Sequence, residues 1–241
     1  MTGIYISDGK IQKGVSGYPL IKTAAIQFIE EISNVHGEKS IYDVIKKRYM
    51  LEDCQKLNAD LHKTFQKDCF DIAVHKKGKP YFKNLNLYFS VSHSEFMWIC
   101  CISEMNCGID LQAVRDVEYR KIARRHFTEL ENKYVDKHGI IGFYDIWVRK
   151  EALGKLTGEG VFKDKFNFAS EDNYIEEDNK VSPKKAGDLI KPEKLKKYID
   201  LPNYKAHVHE IEISEMAKCV VISEEIEKPF IRVLNGYNIE V

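Results

Sequence analysis

The sequence predicts an α+β protein made of two similar halves, residues 1–112 and 113–241, related by a pseudo-twofold. Three observations carry this. Helical periodicity precedes a run of strand-like segments, and the same order then recurs. Hydrophobic residues make up 44% of the 241, enough to pack two cores of about 120 residues each. No Gly/Ser-rich linker or low-complexity tract divides the chain. No sequence repeat accompanies the second round, so the symmetry rests on element order.

Gly3 to Ser7 reads as a short edge strand. Pro19 opens a helix whose Ile21, Ala25, Phe28, Ile29 and Ile32 share one side. A second helical region runs from Ser40, an N-cap residue type, to about Phe65 and carries the basic cluster Lys46, Lys47 and Arg48. Residues 70–75 form a strand, followed by a turn at 76–80 in which Gly78 frees the backbone and Pro80 fixes it. Strands follow at 87–91, 96–103 and 107–111. The second round opens with a helix from Tyr119 to Phe127. Thr128 and Glu131 then form a capping box, and a long helix covers 140–157. Residues 165–169 alternate as a strand does, and 171–191 is a polar loop with Pro183 and Gly187. Pro192 starts a short helix over 193–198, and strands follow at 207–213, 218–222 and 230–234.

Lys+Arg and Asp+Glu are both 37, so the chain lacks the basic excess of a polyanion binder, and nucleic acid is not an expected partner. No apolar run reaches the ~20 residues of a membrane helix, so no membrane association is expected. The N-terminal residues Met-Thr-Gly-Ile-Tyr lack the pattern of a signal peptide. A cytoplasmic protein with reduced thiols is the expectation. The six cysteines include no C-x-x-C pair, and Cys100, Cys101 and Cys107 read as small core residues.

Chemistry concentrates in three stretches. On the long helix Phe143, Trp147, Lys150, Glu151, Gly154 and Lys155 recur at steps of three and four, and a glycine loop follows at Gly158 and Gly160. A carboxylate and two ammonium groups beside a large aromatic fit a site for a metal and a phosphorylated ligand. They fit equally a solvated helix on which Glu151 and Lys155 are an i,i+4 pair worth ~0.3 kcal/mol. Asp110 and Gln112 lie two apart on a strand and share a face; with Glu151 they offer oxygen ligands to Mg²⁺, unless Asp110 only caps a turn. Ser92-His93-Ser94 follows a strand and reads as a turn, either a phosphate cradle or a plain surface turn. His207 and His209 share a strand face, but no cysteine pair at finger spacing completes a zinc set.

Gly78-Lys79-Pro80, Phe89-Ser-Val-Ser-His-Ser94, Gly108-Ile-Asp110, Phe127-x-x-x-Glu131 and Trp147-x-x-Lys150-Glu151-x-x-x-Lys155-x-x-Gly158-x-Gly160 occur in this order. Together they resemble the motif set of Sfp-type 4′-phosphopantetheinyl transferases, over residues 78–160. The resemblance implies coenzyme A in a cleft between two α+β halves and transfer of its phosphopantetheine arm to a serine of an acyl or peptidyl carrier protein. It implies a monomer, since one chain supplies both sides of the cleft. It gives Asp110 and Glu151 the role of Mg²⁺ carboxylates, with Glu151 also as base. Gln112 falls where many members carry a second acid, which removes one charge from the metal shell. Ser92 and His93 resemble phosphate contacts of CoA, and Lys155, with Lys150 beside it, the lysine on the pyrophosphate. Lys79 and Pro80 resemble the turn beside the adenosine. Arg48 is a candidate for the 3′-phosphate, and Val161 and Phe162 begin a candidate carrier-facing strip. Gln112 also leaves room for a second reading, a CoA- or carrier-binding protein with weak or no catalysis.

Overall fold

The computed structural model describes residues 1–7, 17–37, 69–94, 97–160, 166–170 and 194–234. The second helical region with Arg48, the strip beginning at Val161 and Phe162, and the polar loop at 171–191 lie outside these residues.

The architecture is mixed α+β. Strand β1 (Thr2–Ser7) precedes helix α1 (Tyr18–His36), which starts on Pro19 in its first turn and ends at Gly37. Its apolar stripe, Leu20, Ile21, Ala24, Ala25, Phe28, Ile29 and Ile32, is buried throughout. A short hairpin, β2 (Ile72–Val74) and β3 (Pro80–Phe82), leads to β4 (Tyr88–Ser94), β5 (Met97–Ser103) and β6 (Cys107–Ala113). Helices α2 (Tyr119–His126) and α3 (Glu129–Thr157) follow. The chain then supplies β7 (Ala169–Ser170), β8 (Lys194–Leu195), β9 (Tyr198–Asp200), β10 (Lys205–Glu210), β11 (Ala217–Ser223) and β12 (Phe230–Val233).

Two four-stranded sheets result, in the orders β12-β1-β5-β4 and β6-β11-β10-β9. The first packs on α1 and the second on α3. They do not divide the chain at residue 112. Strand β6 joins the second sheet, and β12, from late in the chain, pairs parallel with β1 in the first. For that reason β1 is an interior strand rather than the expected edge: β12 covers one side and antiparallel β5 the other. A third apolar cluster, including Ile4, Ile99, Cys101, Ile109, Leu111 and Val221, fills the space between the sheets.

Two further expectations are corrected. Residues 194–198 do not form the helix expected over 193–198. β8 pairs with β7, and β9 pairs with β10, setting Ile199 opposite Ala206, both fully buried. That pairing overrides the helix-favouring composition of the segment. Ser92, His93 and Ser94 are not a turn after a strand; they are the last three residues of β4.

Their polarity has a structural cause. β4 and β6 lie side by side in different sheets, and side chains carry the seam. The hydroxyls of Ser90, Ser92 and Ser94 accept the backbone N–H groups of Ile109, Leu111 and Ala113 at 3.1, 3.2 and 2.8 Å. Period-two spacing puts all three serines on the face that meets β6. Each bond satisfies a donor that burial would otherwise leave orphaned.

Helix α3 begins as the sequence specifies. The Thr128 hydroxyl accepts from Glu131 N and the Glu131 carboxylate accepts from Thr128 N, a complete capping box. Gly139 interrupts the helix at φ 64°, a conformation costly for other residues, so the segment before it and the segment at 140–157 differ in direction. Among the described residues no helix is long and apolar enough to cross a membrane. The five described cysteines are free and buried.

Candidate active site

Strand β6 alternates. Cys107, Ile109 and Leu111 enter the cluster between the sheets, so Gly108, Asp110 and Gln112 face α3. Gly108 is what lets strand and helix touch. A Cβ there would stand 2.1 Å from the Ala152 carbonyl oxygen and 2.6 Å from Leu156 N. Any larger residue would push the strand off the helix. With Gly108, the next residue on that face, Asp110, meets Lys155 of the same stretch of α3.

Asp110 is 2% exposed and saturated with donors. Its Oδ1 accepts from Lys155 Nζ at 2.8 Å and from Ser92 Oγ at 2.8 Å, and its Oδ2 from Gln112 Nε2 at 3.1 Å. Lys155 also donates to the Val91 carbonyl at 3.1 Å, which ties α3 to β4. Lys155 therefore pairs with Asp110 rather than with Glu151, its i,i+4 neighbour. Glu151 is half-buried, and burial pushes its carboxyl up to about 7; the Asp110 charge adds to the rise and Lys155 opposes it.

Glu151 and Lys155 line a cavity of about 320 Å³, with Asp110 bonded to Lys155 behind them. Residues 77–80 of the hairpin and 89–91 of β4 form one wall, and Glu151, Gly154, Lys155, Gly158 and Gly160 form the other. Helix α3 ends at Gly158, so the glycine loop closes the end of the cavity. An exposed ion pair, Lys77 to Glu159 at 2.7 Å, spans the two walls.

The structure brings Asp110, Gln112, Glu151 and Lys155 together, with Ser92 behind Asp110 and Pro80 on the opposite wall. His93 is exposed on β4. Lys79 and Lys150 stand apart. Lys79 lines the cavity, yet its ammonium turns inward to Asn106 Oδ1 at 2.5 Å and to the carbonyls of Cys107 and Leu156 at 3.1 and 2.9 Å. It is a strut between hairpin, β6 and α3, and burial lowers its pKa. Lys150 lies on the far side of α3. It is 4% exposed, pairs with the fully buried Glu131 at 3.0 Å, and donates to the Phe166 carbonyl at 2.9 Å between the rings of Phe127 and Phe168. The expected place beside a pyrophosphate is closed to it, because five residues along a helix turn a side chain well away from Lys155.

Sequence reading passed over Lys77 and the paired role of Glu131. Lys77 had a signal in its position one residue before the Gly78 turn. For Glu131 only the capping box was visible, since its partner lies nineteen residues away on another turn of α3.

Among the described residues no three His, Cys, Asp or Glu side chains converge as a metal-binding group. A cation here would have two carboxylates, Asp110 and Glu151, and the Gln112 amide with its oxygen turned inward. That donor set suits Mg²⁺, which takes oxygen ligands and shares its shell with substrate phosphates. Burial, with the Asp110 charge adding to it, holds the half-buried Glu151 carboxyl at about 7, so a cation would stabilise the second charge of the pair.

The site thus joins a two-sheet α+β framework to a carboxylate and lysine cluster beside a glycine loop. The sequence model of the 4′-phosphopantetheinyl transferase superfamily matches residues 106–210 of this chain. Asp110, Gln112, Glu151 and Lys155 all lie inside it. The 4′-phosphopantetheinyl transferase gsp of Aneurinibacillus migulanus is 30% identical over 89 residues, 35% of this chain and 37% of that protein. The 4′-phosphopantetheinyl transferase HetI of Nostoc sp. is 32% identical over 97 residues, 36% of this chain and 41% of that protein. The matched stretches thus span about two-fifths of these relatives' length.

Proposed function

We propose that this protein transfers the 4′-phosphopantetheine arm of coenzyme A to a serine of an acyl or peptidyl carrier protein, with Mg²⁺. The observation that carries the reading is the convergence of Glu151 and Lys155 on the cavity between hairpin, β4 and α3, with Asp110 buried behind them and paired to Lys155. In the reaction the carrier serine oxygen bonds to the phosphorus of the phosphopantetheine arm. The P–O bond to adenosine 3′,5′-bisphosphate breaks, and its electron pair leaves with the nucleotide. Glu151, whose carboxyl titrates at about 7, is matched to take the serine proton at neutral pH. Lys155 presents a cation to the diphosphate, where negative charge grows. Mg²⁺ held by Asp110, Glu151 and Gln112 would add positive charge at the same diphosphate. His93, exposed at the end of β4, is placed to contact a phosphate of CoA. The cavity is lined by residues within 77–91 and 151–160 of one chain, which suits a monomer.

Incubation with CoA, Mg²⁺ and an apo carrier protein tests this. The expected result is a carrier mass increased by one phosphopantetheine arm; CoA binding without that gain sinks the transferase reading. The second reading, a CoA- or carrier-binding protein without transfer, is favoured by one observation. Gln112 donates an amide N–H to Asp110 where an acid would add a charge. Gln112→Glu should tighten Mg²⁺ binding in the absence of CoA, and equal affinity in both proteins would remove Gln112 from the metal shell.

A further inference from the structure

Ser90, Ser92 and Ser94 are alike in spacing and in the bond each takes from β6, but only Ser92 also touches a group of the site. A serine hydroxyl has one hydrogen to donate. In Ser92 that hydrogen goes to Asp110 Oδ1 at 2.8 Å, while the oxygen accepts from Leu111 N at 3.2 Å. Both residues are buried, Ser92 at 6% and Asp110 at 2% exposure. A phosphate oxygen needs a donor, and Ser92 has none left unless it releases Asp110. Its neighbour His93 points to the opposite face of β4 and is exposed.

We propose that Ser92 is a positioning residue that fixes the Asp110 carboxylate for the cation and the CoA diphosphate, and is not itself a phosphate ligand. The proposal rests on the transferase reading above. Three donors hold Asp110, and two of them, Lys155 and Gln112, sit at the end of long, partly exposed side chains. Ser92 has one rotatable bond, and its oxygen is pinned by the Leu111 N–H. It is the donor of the three that stays in place when Lys155 and Gln112 respond to a ligand. Groups that orient a metal-bound carboxylate in this way commonly change metal affinity 10–100-fold when removed.

The test compares Ser92→Ala, Ser92→Thr and Ser94→Ala in the full chain. Both alanine variants leave one β6 N–H without an acceptor and should melt lower, Ser92→Ala by more because it also removes the bond to Asp110. Only Ser92→Ala should weaken Mg²⁺ binding to the CoA-saturated protein, by about tenfold, read by calorimetry. It should lower kcat with KM for CoA unchanged, and Ser92→Thr, which keeps the hydroxyl, should restore both. Ser92→Cys offers only a weak donor and carries the same test if the alanine variant does not fold. Ser92→Ala behaving as Ser94→Ala in every readout overturns the proposal. So does a raised KM for CoA with kcat intact, which would mark a direct phosphate contact.

A ligand-free double-mutant cycle separates this idea from the function it rests on. Denaturant midpoints should be non-additive for Ser92→Ala with Asp110→Asn and additive for Ser94→Ala with Asp110→Asn. Non-additivity in a protein that transfers nothing would keep the Ser92–Asp110 link and discard the transferase. Additivity in an active transferase would discard the link alone.

Discussion

Lys150 and Lys155 lie five residues apart on one helix, and each forms an ion pair with a buried carboxylate. The pairs differ in what surrounds them. Lys150 is 4% exposed, and its partner Glu131 is also bonded by Thr128 N and Phe168 N, so every atom of that pair is satisfied inside the protein. Lys155 is 31% exposed, lines a cavity, and shares Asp110 with Ser92 and Gln112. The first pair locks the capping box of α3 to its middle and to the Phe168 segment. The second can trade partners when an anion enters the cavity. A lysine's role is set by what its carboxylate also holds, and not by its place in a motif.

The largest expected effect comes from breaking the closed pair. Lys150→Ala would leave Glu131 charged and buried without its cation, at a cost of about 3–5 kcal/mol. Urea unfolding should show it as a lower midpoint. Replacing both, as Lys150→Met with Glu131→Leu, should recover part of that loss, though the cap of Thr128 is lost as well. A single variant as stable as the wild type would mean the pair contributes nothing.

Next is the open pair. Lys155→Ala should slow transfer by about 10²-fold or more while CoA binding and the melting temperature change far less. Near-normal turnover would reduce Lys155 to a tether of Asp110 to α3.

His93→Ala should weaken CoA binding by about tenfold, as expected for loss of one charge-assisted bond, with stability unchanged because the side chain is exposed. Calorimetric titration with CoA measures it; a fall in melting temperature with intact affinity would make His93 structural.

The smallest effect is on stability and depends on pH. The Glu151 carboxyl is raised from 4.5 to about 7 in the folded protein, so the folded state holds its proton more tightly than the unfolded chain. Stability from this group is present below pH 4.5 and is lost as pH rises through 7. Glu151→Gln should therefore be more stable than the wild type at pH 8 by about 1 kcal/mol, after allowing for solvent screening of a half-exposed group, and no more stable at pH 4. It should also lose transfer. Equal melting at both pH values would show that Glu151 sits in ordinary solvent.

The sequence made the strands around 87–111 and the long helix legible because their apolar periods and caps are local. It also made Asp110, Glu151 and Lys155 legible as candidates, since the spacing that puts each on its element is local too. The pairing among them was not. Lys155 takes Asp110 rather than Glu151 because Gly108 draws β6 onto α3, a contact between residues 44 and 48 positions apart. Ser92 and Ser94 read as a turn because polar residues at period two resemble loop composition until β6 is seen beside them. The segment at 193–198 read as helix because its pairing partners, β7 and β10, lie elsewhere in the chain.

The contact at Gly108 has a consequence for how such a site can change. Strand and helix are held apart by main-chain atoms alone, so the spacing of Asp110 from Glu151 and Lys155 acts as a fixed gauge that side-chain replacements in the core leave untouched. At the rim, by contrast, the hairpin turn and the glycine loop meet through the solvent-exposed Lys77–Glu159 bridge, an ion pair that side-chain motion can open. On the proposed transferase reading, variation in substrate breadth should collect at Lys77 and residues 158–160 rather than at the carboxylates.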